Sequence, residues 1–158
     1  MKIAIGSDKS GFFLKENVKR YLLDNGYEVE DLGTLDPEKP LPYYEVAKIV
    51  AEKIQKGIFE RGLLFCGTGM GMALVANKFK GVYAAVVESV YAAQKCRAIN
   101  NANILTMGGW IVAENMAYEM VKAFLTTEFT EGLEEWRQEF LKKAYLEVQK
   151  VEEEQFQK

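Results

Sequence analysis

Apolar runs of β-type composition alternate along this chain with stretches whose apolar residues recur every three or four positions. KIAIGS reads as a strand, and it is followed by a helix that sets Leu14, Val18, Tyr21 and Leu22 on one face before Asn25-Gly26 stops it. YEVEDLG is a second strand. After a loop containing Pro37, Pro40 and Pro42, a second helix carries Ala47, Val50, Ala51 and Ile54 on one face and ends at Gly57. GLLFC is a third strand, and its continuous apolar character fits a strand covered on both faces, as in a parallel sheet. VYAAVVE and NILTMGG repeat the pattern, with helices near 70–79, 89–98 and 111–126; in the last, Ala113, Met116, Ala117, Met120 and Val121 form the inner stripe. The fold class expected is therefore α/β, a doubly wound five-stranded parallel sheet.

An extra C-terminal helix, from about Glu131 to Gln155, carries Leu133, Trp136, Phe140, Val148 and Val151 at helical spacing and ends in the charged VEEEQFQK. The sheet already has its helices, so this apolar face is expected to pack on a second subunit or to dock on its own domain. The organisation expected is an α/β domain over 1–130 and a helical extension over 131–158 belonging to the same domain and to the subunit interface.

With 158 residues, 49% of them hydrophobic, the chain has the size and composition of one globular domain. A net charge of -3 and the lack of a Lys/Arg-rich run argue against nucleic acid as a partner. A membrane role is not expected either, since no apolar run approaches the roughly 20 residues of a spanning helix, and MKIAIGSDKS is too short in its apolar part for a secretory signal. The only cysteines, Cys66 and Cys96, fit free thiols in a reducing cytoplasm. There is no histidine. That removes the usual general base near neutrality and the commonest metal ligand, so proton transfer falls to Cys, Asp, Glu, Lys or Tyr.

In an open parallel sheet, ligands sit beyond the carboxyl ends of the strands. Four places there look chemical: Ser7 to Ser10, Cys66 to Gly71, Glu88-Ser89, and Gly108-Gly109-Trp110; Asn100, Asn101 and Asn103 just precede the last strand. The CGTGMG loop joins a strand to a helix, where backbone N–H groups and the positive helix end favour a phosphate, an oxyanion or a thiolate. A base beside N–H donors is what proton abstraction from carbon and an enediolate require. The residues alone leave a second reading for each candidate. Cys66 could be a small buried hydrophobe in a tight turn, Asp8 an N-cap, Lys9 a solvated lysine, Arg97 and Cys96 surface or packing residues, and the asparagines a turn.

The ordered set GSDKSG, CGTGMG, ANKFKG and INNANILTMGG, spanning about residues 2–130, resembles the family of type B ribose-5-phosphate isomerases and galactose-6-phosphate isomerases. The resemblance implies a Rossmann-like three-layer α/β/α sandwich that forms homodimers or homotetramers with the site at the interface. It also implies interconversion of aldose and ketose through an enediol, with no metal and no organic cofactor. By position, Cys66 resembles the base that shuttles a proton between C1 and C2. Thr68, with the amides of Gly67, Gly69, Met70 and Gly71, resembles the anion-stabilising loop, and Asp8 and Asn100 resemble residues that hold sugar oxygens. Lys9, Tyr43, Arg97 and Arg137 complete the expected substrate-binding set. Members without the cysteine use a glutamate in the glycine loop; here that region reads Met70-Gly71-Met72.

The departures shape the substrate. Lys9 stands where the family has a histidine, and Ile99 where another histidine opens the sugar ring. Tyr83 and Trp110 occupy positions where arginine is common, and Leu133-Glu134-Glu135 replaces a Gly-Arg-His-like segment. An already acyclic four-carbon sugar phosphate needs no ring opening, and relatives acting on tetrulose phosphates also lack that histidine. The expected function is thus an aldose–ketose isomerase of a small sugar phosphate. The alternatives are a keto-uronate isomerase, a non-catalytic sugar-phosphate binder, or one subunit of a two-chain isomerase.

Overall fold

The computed structural model describes residues 1–156. Strands β1 (Lys2–Ser7), β2 (Glu28–Asp31), β3 (Arg61–Cys66), β4 (Ala84–Val86) and β5 (Ile104–Gly108) form one parallel sheet in the order β2-β1-β3-β5-β4. The helices are α1 (Phe12–Asp24), α2 (Tyr43–Gln55), α3 (Met70–Ala76), α4 (Val90–Ala98), α5 (Glu114–Thr126) and α6 (Glu135–Phe156). Side chains alternate across the pleat, so Ile3, Ile5, Leu63, Phe65, Leu105 and Met107 meet α1, α4 and α5 in one core. Ala4, Leu64, Cys66 and Ile104 meet α2 and α3 in the other. The doubly wound parallel sheet expected from the alternation of elements, and the three-layer α/β/α sandwich that the resemblance implies, are both present.

Several boundaries differ from the sequence pattern, each for a local reason. The helix expected over 70–79 stops at Ala76 because Asn77 turns its side chain to β4: its Nδ2 donates to the Ala84 carbonyl at 2.9 Å, and its Oδ1 accepts the Ala84 N–H at 2.7 Å. Asn77 thus acts as a strand partner. α4 starts at Val90, with Ser89 as a true N-cap accepting the Ala92 N–H at 3.1 Å. α5 begins at Glu114, after an extended Ala113. Ala113 and Met116 are consequently exposed, correcting the expected stripe, which continues instead through Ala117, Met120 and Val121 to Phe124 and Leu125.

The final helix starts four residues later than the pattern indicates, after a turn in which Thr130 and Gly132 adopt positive φ of 68° and 69°. Its expected stripe is not a core stripe. Trp136, Phe140, Val148 and Val151 are exposed, Leu133 is half-buried, and the one buried residue of α6 is Leu141. α6 nevertheless docks on its own domain. Glu152 accepts the Gly81 N–H at 2.7 Å and the Tyr83 hydroxyl at 3.0 Å, Lys80 pairs with Glu153 at 2.5 Å, and Tyr145 packs on Tyr83 and Phe129. The last two residues of the charged tail, 157 and 158, lie outside the described residues.

Candidate active site

From β1 the sheet grows outward to β2 on one side and to β3 on the other, so the crevice at the carboxyl ends opens between β1 and β3. Three loops meet there. The Asp8 N–H donates to the Phe65 carbonyl at 3.2 Å, the Gly109 N–H to the Cys66 carbonyl at 2.8 Å, and the Trp110 N–H to the Gly67 carbonyl at 3.0 Å. Such close approach needs residues without side chains: a Cβ on Gly11 would lie 2.4 Å from the Phe65 carbonyl carbon, and one on Gly108 would lie 2.5 Å from the Gly67 oxygen.

Cys66 ends β3 on the same face as Leu64 and is 6% exposed. The chain then turns through Gly69, whose φ of +80° is in the left-handed region and whose missing Cβ would stand 2.9 Å from the Met107 backbone. That turn aims the Gly69 N–H at Cys66 Sγ, 3.0 Å away. A donor in this position is complementary to negative charge on sulfur. Behind the turn, the buried Thr106 hydroxyl of β5 donates to the Gly69 carbonyl at 2.8 Å, and Thr68 Oγ1 accepts the Met70 N–H at 3.3 Å. Thr106 escaped the sequence reading. Its signal is a hydroxyl in the middle of the apolar run ILTMGG.

Asp8 is half-buried beside this loop and accepts the Gly11 N–H at 3.0 Å, which closes the turn before α1; the N-cap itself is Gly11. Burial pushes its carboxyl above the usual carboxylate range, partly offset by the N–H groups of Gly11 and Ser10. Lys9 is exposed next to it. Tyr43, the first residue of α2, lies against the far end of the glycine loop, where a Cβ on Gly71 would come 2.8 Å from the tyrosine ring. At the near end, the Trp110 indole rests on Gly67.

The remaining candidates lie elsewhere. Asn100 precedes β5, whereas Cys66 is level with its last residue, Gly108, so a strand length of roughly 13 Å separates them. Ile99 and Asn100 line a groove of about 270 Å³ with Tyr83, Leu141, Ala144 and Tyr145, and Arg137 sits in the first turn of the same α6. Arg97 lies apart from the Cys66 loop of its own chain. It is buried, and its guanidinium donates to Asn101 Oδ1 at 2.9 Å, to the Ala102 carbonyl at 2.7 Å and to the Thr127 carbonyl at 3.4 Å. It joins α4 to the start of β5 and the end of α5, and no part of it reaches the Cys66 loop.

A second unforeseen feature is Lys15, a fully buried lysine in α1. Its ammonium reaches Asp31 Oδ2 and the Thr34 carbonyl at 2.6 Å each and Glu16 at 2.8 Å, while the Thr34 hydroxyl accepts the Leu41 N–H at 3.0 Å. These bonds tie down the loop that leads into Tyr43. Both cysteines are free, and burial pushes the Cys96 thiol up to about 11. Among the described residues, no group of three His, Cys, Asp or Glu side chains could hold a metal ion, and no helix is long and apolar enough to cross a membrane.

Comparison with known proteins matches residues 3–141 to the ribose/galactose isomerase family. The chain belongs to that family. Among its relatives, a 4-deoxy-4-sulfo-D-erythrose isomerase from Clostridium sp. (strain MSTE9) is 66% identical over 158 residues, which is 100% of this chain and 99% of that protein. A D-erythrulose-4-phosphate isomerase from Pectobacterium atrosepticum is 39% identical over 133 residues, covering 84% of this chain and 87% of the other. The ribose-5-phosphate isomerase B structure from Clostridium thermocellum superposes with a TM-score of 0.88 at 36% identity, covering 98% of this chain and 99% of that one. The protein is accordingly an enzyme of the aldose–ketose isomerase class.

Proposed function

We propose that this isomerase interconverts 4-deoxy-4-sulfo-D-erythrose and the corresponding 2-ketose, with Cys66 as the base. The observation that carries the mechanism is the Gly69 N–H directed at Cys66 Sγ from 3.0 Å. The thiolate removes the proton on C2 of the aldose and returns it to C1, while the proton on the carbonyl-derived oxygens moves from O2 to O1. Thr68 and the amides of the 67–71 loop hold the charge that develops on the enediolate. Asp8 and Tyr43 flank the loop and bind sugar hydroxyls, with Lys9 at the rim.

The substrate reading rests on the 66% identity over the whole chain to the sulfo-erythrose isomerase and on a chemical point about Ile99. A four-carbon aldose whose C4 bears sulfur has no hydroxyl that can close a five- or six-membered ring. It needs no ring-opening acid, and a chain with no histidine supplies none at Ile99. A single negative charge on sulfonate also asks for less cationic counterpart than a phosphate dianion does, and Arg97, whose guanidinium is taken up by Asn101, Ala102 and Thr127, adds none to Arg137.

The division of candidates between the two ends of the sheet supports a site shared by two copies, in which Asn100 and Arg137 of one chain face the Cys66 loop of the other. The exposed side of α6, with Trp136 and Phe140, is then part of the subunit interface, and the 131–158 extension belongs to the same domain. Two free thiols suit a reducing cytoplasm. The test is kcat/KM for 4-deoxy-4-sulfo-D-erythrose against D-erythrose 4-phosphate and D-ribose 5-phosphate. Preference for the sulfonate supports the reading; equal or better turnover of either phosphate sinks it.

A further inference from the structure

The glycine loop runs between two aromatic rings, Trp110 at Gly67 and Tyr43 at Gly71. Trp110 follows β5 with its backbone pinned, since its own N–H reaches the Gly67 carbonyl at 3.0 Å and the N–H of Val112 closes the turn on Gly108 at 2.9 Å. The six-membered part of its indole lies on Gly67, where a Cβ would meet three of its carbons at 2.7–2.8 Å. The ring is thus seated on the residue next to the reactive sulfur. Yet Trp110 is 74% exposed, so one face supports the loop while the rest stands open beside it. Its indole Nε1–H is a donor with no acceptor function. Tyr43 bounds the opposite end of the loop at Gly71 in the same manner.

We infer that Trp110 is a specificity-determining residue, whose indole closes one end of the slot over the glycine loop, limits the carbon chain to about four atoms, and offers its N–H to the terminal anionic group. A substrate with C1 and C2 at Cys66 must extend along the loop, and at the Gly67 end it meets a large, rigid ring with few rotamers. The ring cannot sink, because Gly67 is already in contact with it. A neutral N–H donor suits a weakly basic monoanion such as sulfonate better than a doubly charged phosphate, which gains more from a guanidinium.

This inference rests on the enediol reading of the Cys66 loop and deepens its substrate class. Its test is kcat/KM on 4-deoxy-4-sulfo-D-erythrose and D-ribose 5-phosphate for the wild type, Trp110→Ala and Trp110→Phe, with circular dichroism to verify folding. Trp110→Ala is expected to raise the ribose-phosphate to sulfo-erythrose ratio about tenfold, the scale of one added carbon in a shaped pocket. Trp110→Phe keeps a ring but loses the donor; it is expected to raise KM for the sulfonate about fivefold with kcat little changed. If turnover of either compound falls below detection, dissociation constants for the two compounds give the same ratio. A ratio that moves less than about threefold in folded Trp110→Ala, against the tenfold expected of a chain-length wall, overturns the inference. The wild-type preference is a separate result: a wild type that favours ribose 5-phosphate sinks the four-carbon reading, while the response of the ratio to Trp110→Ala still decides whether the indole is a wall.

Discussion

The amide of Gly69 points at the sulfur of Cys66, 3.0 Å away, from a backbone conformation with φ of +80°. Any side chain at residue 69 is strained by that φ and would also press on the Met107 backbone at 2.9 Å. Gly69→Ala is expected to lose about 1–2 kcal/mol of stability from the left-handed conformation alone. It is also expected to lower kcat about tenfold or more by turning the donor from the sulfur. Denaturant titration and steady-state kinetics check the two effects. A variant with normal kcat would separate the turn from the chemistry.

The two thiols occupy different surroundings and should react differently. Burial pushes Cys96 up to about 11, and its Sγ–H is engaged with the Ala93 carbonyl at 3.2 Å. Cys66 has an amide donor at its sulfur instead. Brief treatment with iodoacetamide at pH 8, followed by peptide mass spectrometry, is expected to modify Cys66 ahead of Cys96, with loss of activity in proportion. Substrate should slow the modification. Preferential labelling of Cys96 would contradict this description.

Asp8 gives a pH prediction with opposite signs for stability and activity. Folding raises its carboxyl above the ordinary value, so the native state binds more protons than the unfolded one as pH rises from the unfolded pKa through the folded one. Stability contributed by Asp8 therefore falls over that window, and the ionised group is a net cost above it. Asp8→Asn keeps an acceptor for the Gly11 N–H, and the thermal midpoint at pH 7 is expected to stay equal or rise. Activity is expected to drop at least about tenfold through the lost contact to a sugar hydroxyl, with the acid limb of kcat/KM moving to lower pH. A fall in the midpoint at pH 7 would show that the hydrogen bond outweighs burial.

Lys15 concerns the frame of the site. Replacing it by Met leaves Asp31 with Lys19, at 2.8 Å, as its one cationic partner beside the Gly33 N–H at 3.1 Å, and leaves the Thr34 carbonyl without its ammonium. Breaking a buried pair by removing one partner costs about 3–5 kcal/mol. The remaining lysine places Lys15→Met at the lower end, about 3 kcal/mol, measurable by chemical denaturation. A loss under about 1 kcal/mol would mean that the buried ammonium brings no net stability.

The elements of the sheet were legible because period-2 and period-3.6 apolar patterns report which face of an element is covered, and β1, β3 and β5 are buried along nearly their whole length. Helix ends were less so. Asn77 stops α3 through bonds to Ala84, a partner seven residues on that no local propensity announces. The α6 stripe misled because apolar periodicity marks a face to be covered without saying by what, and within the single chain Leu141 takes the core position. At the site, the Cys66 loop could be read from its glycines, which are required by contacts with Trp110, Met107 and Tyr43. Arg97 could not be placed, since a basic residue near a functional segment looks the same in sequence whether it faces a ligand or, as here, backbone carbonyls. Lys15 was hidden for the converse reason: a lysine in an amphipathic helix ordinarily marks the solvent side.

The central claim is that Cys66 moves a proton between C1 and C2 of a small sugar, and isotope exchange tests it most directly. The enzyme is incubated with 4-deoxy-4-sulfo-D-erythrose in D2O, and proton NMR follows both ketose formation and deuterium at the carbons beside the carbonyl. The account predicts deuterium incorporation accompanying isomerisation by the wild type. In a folded Cys66→Ala variant, both should fall by about 10²–10⁴, the usual worth of a positioned general base. Exchange by Cys66→Ala within about tenfold of the wild-type rate, well short of that loss, would contradict the account and assign the base to another residue.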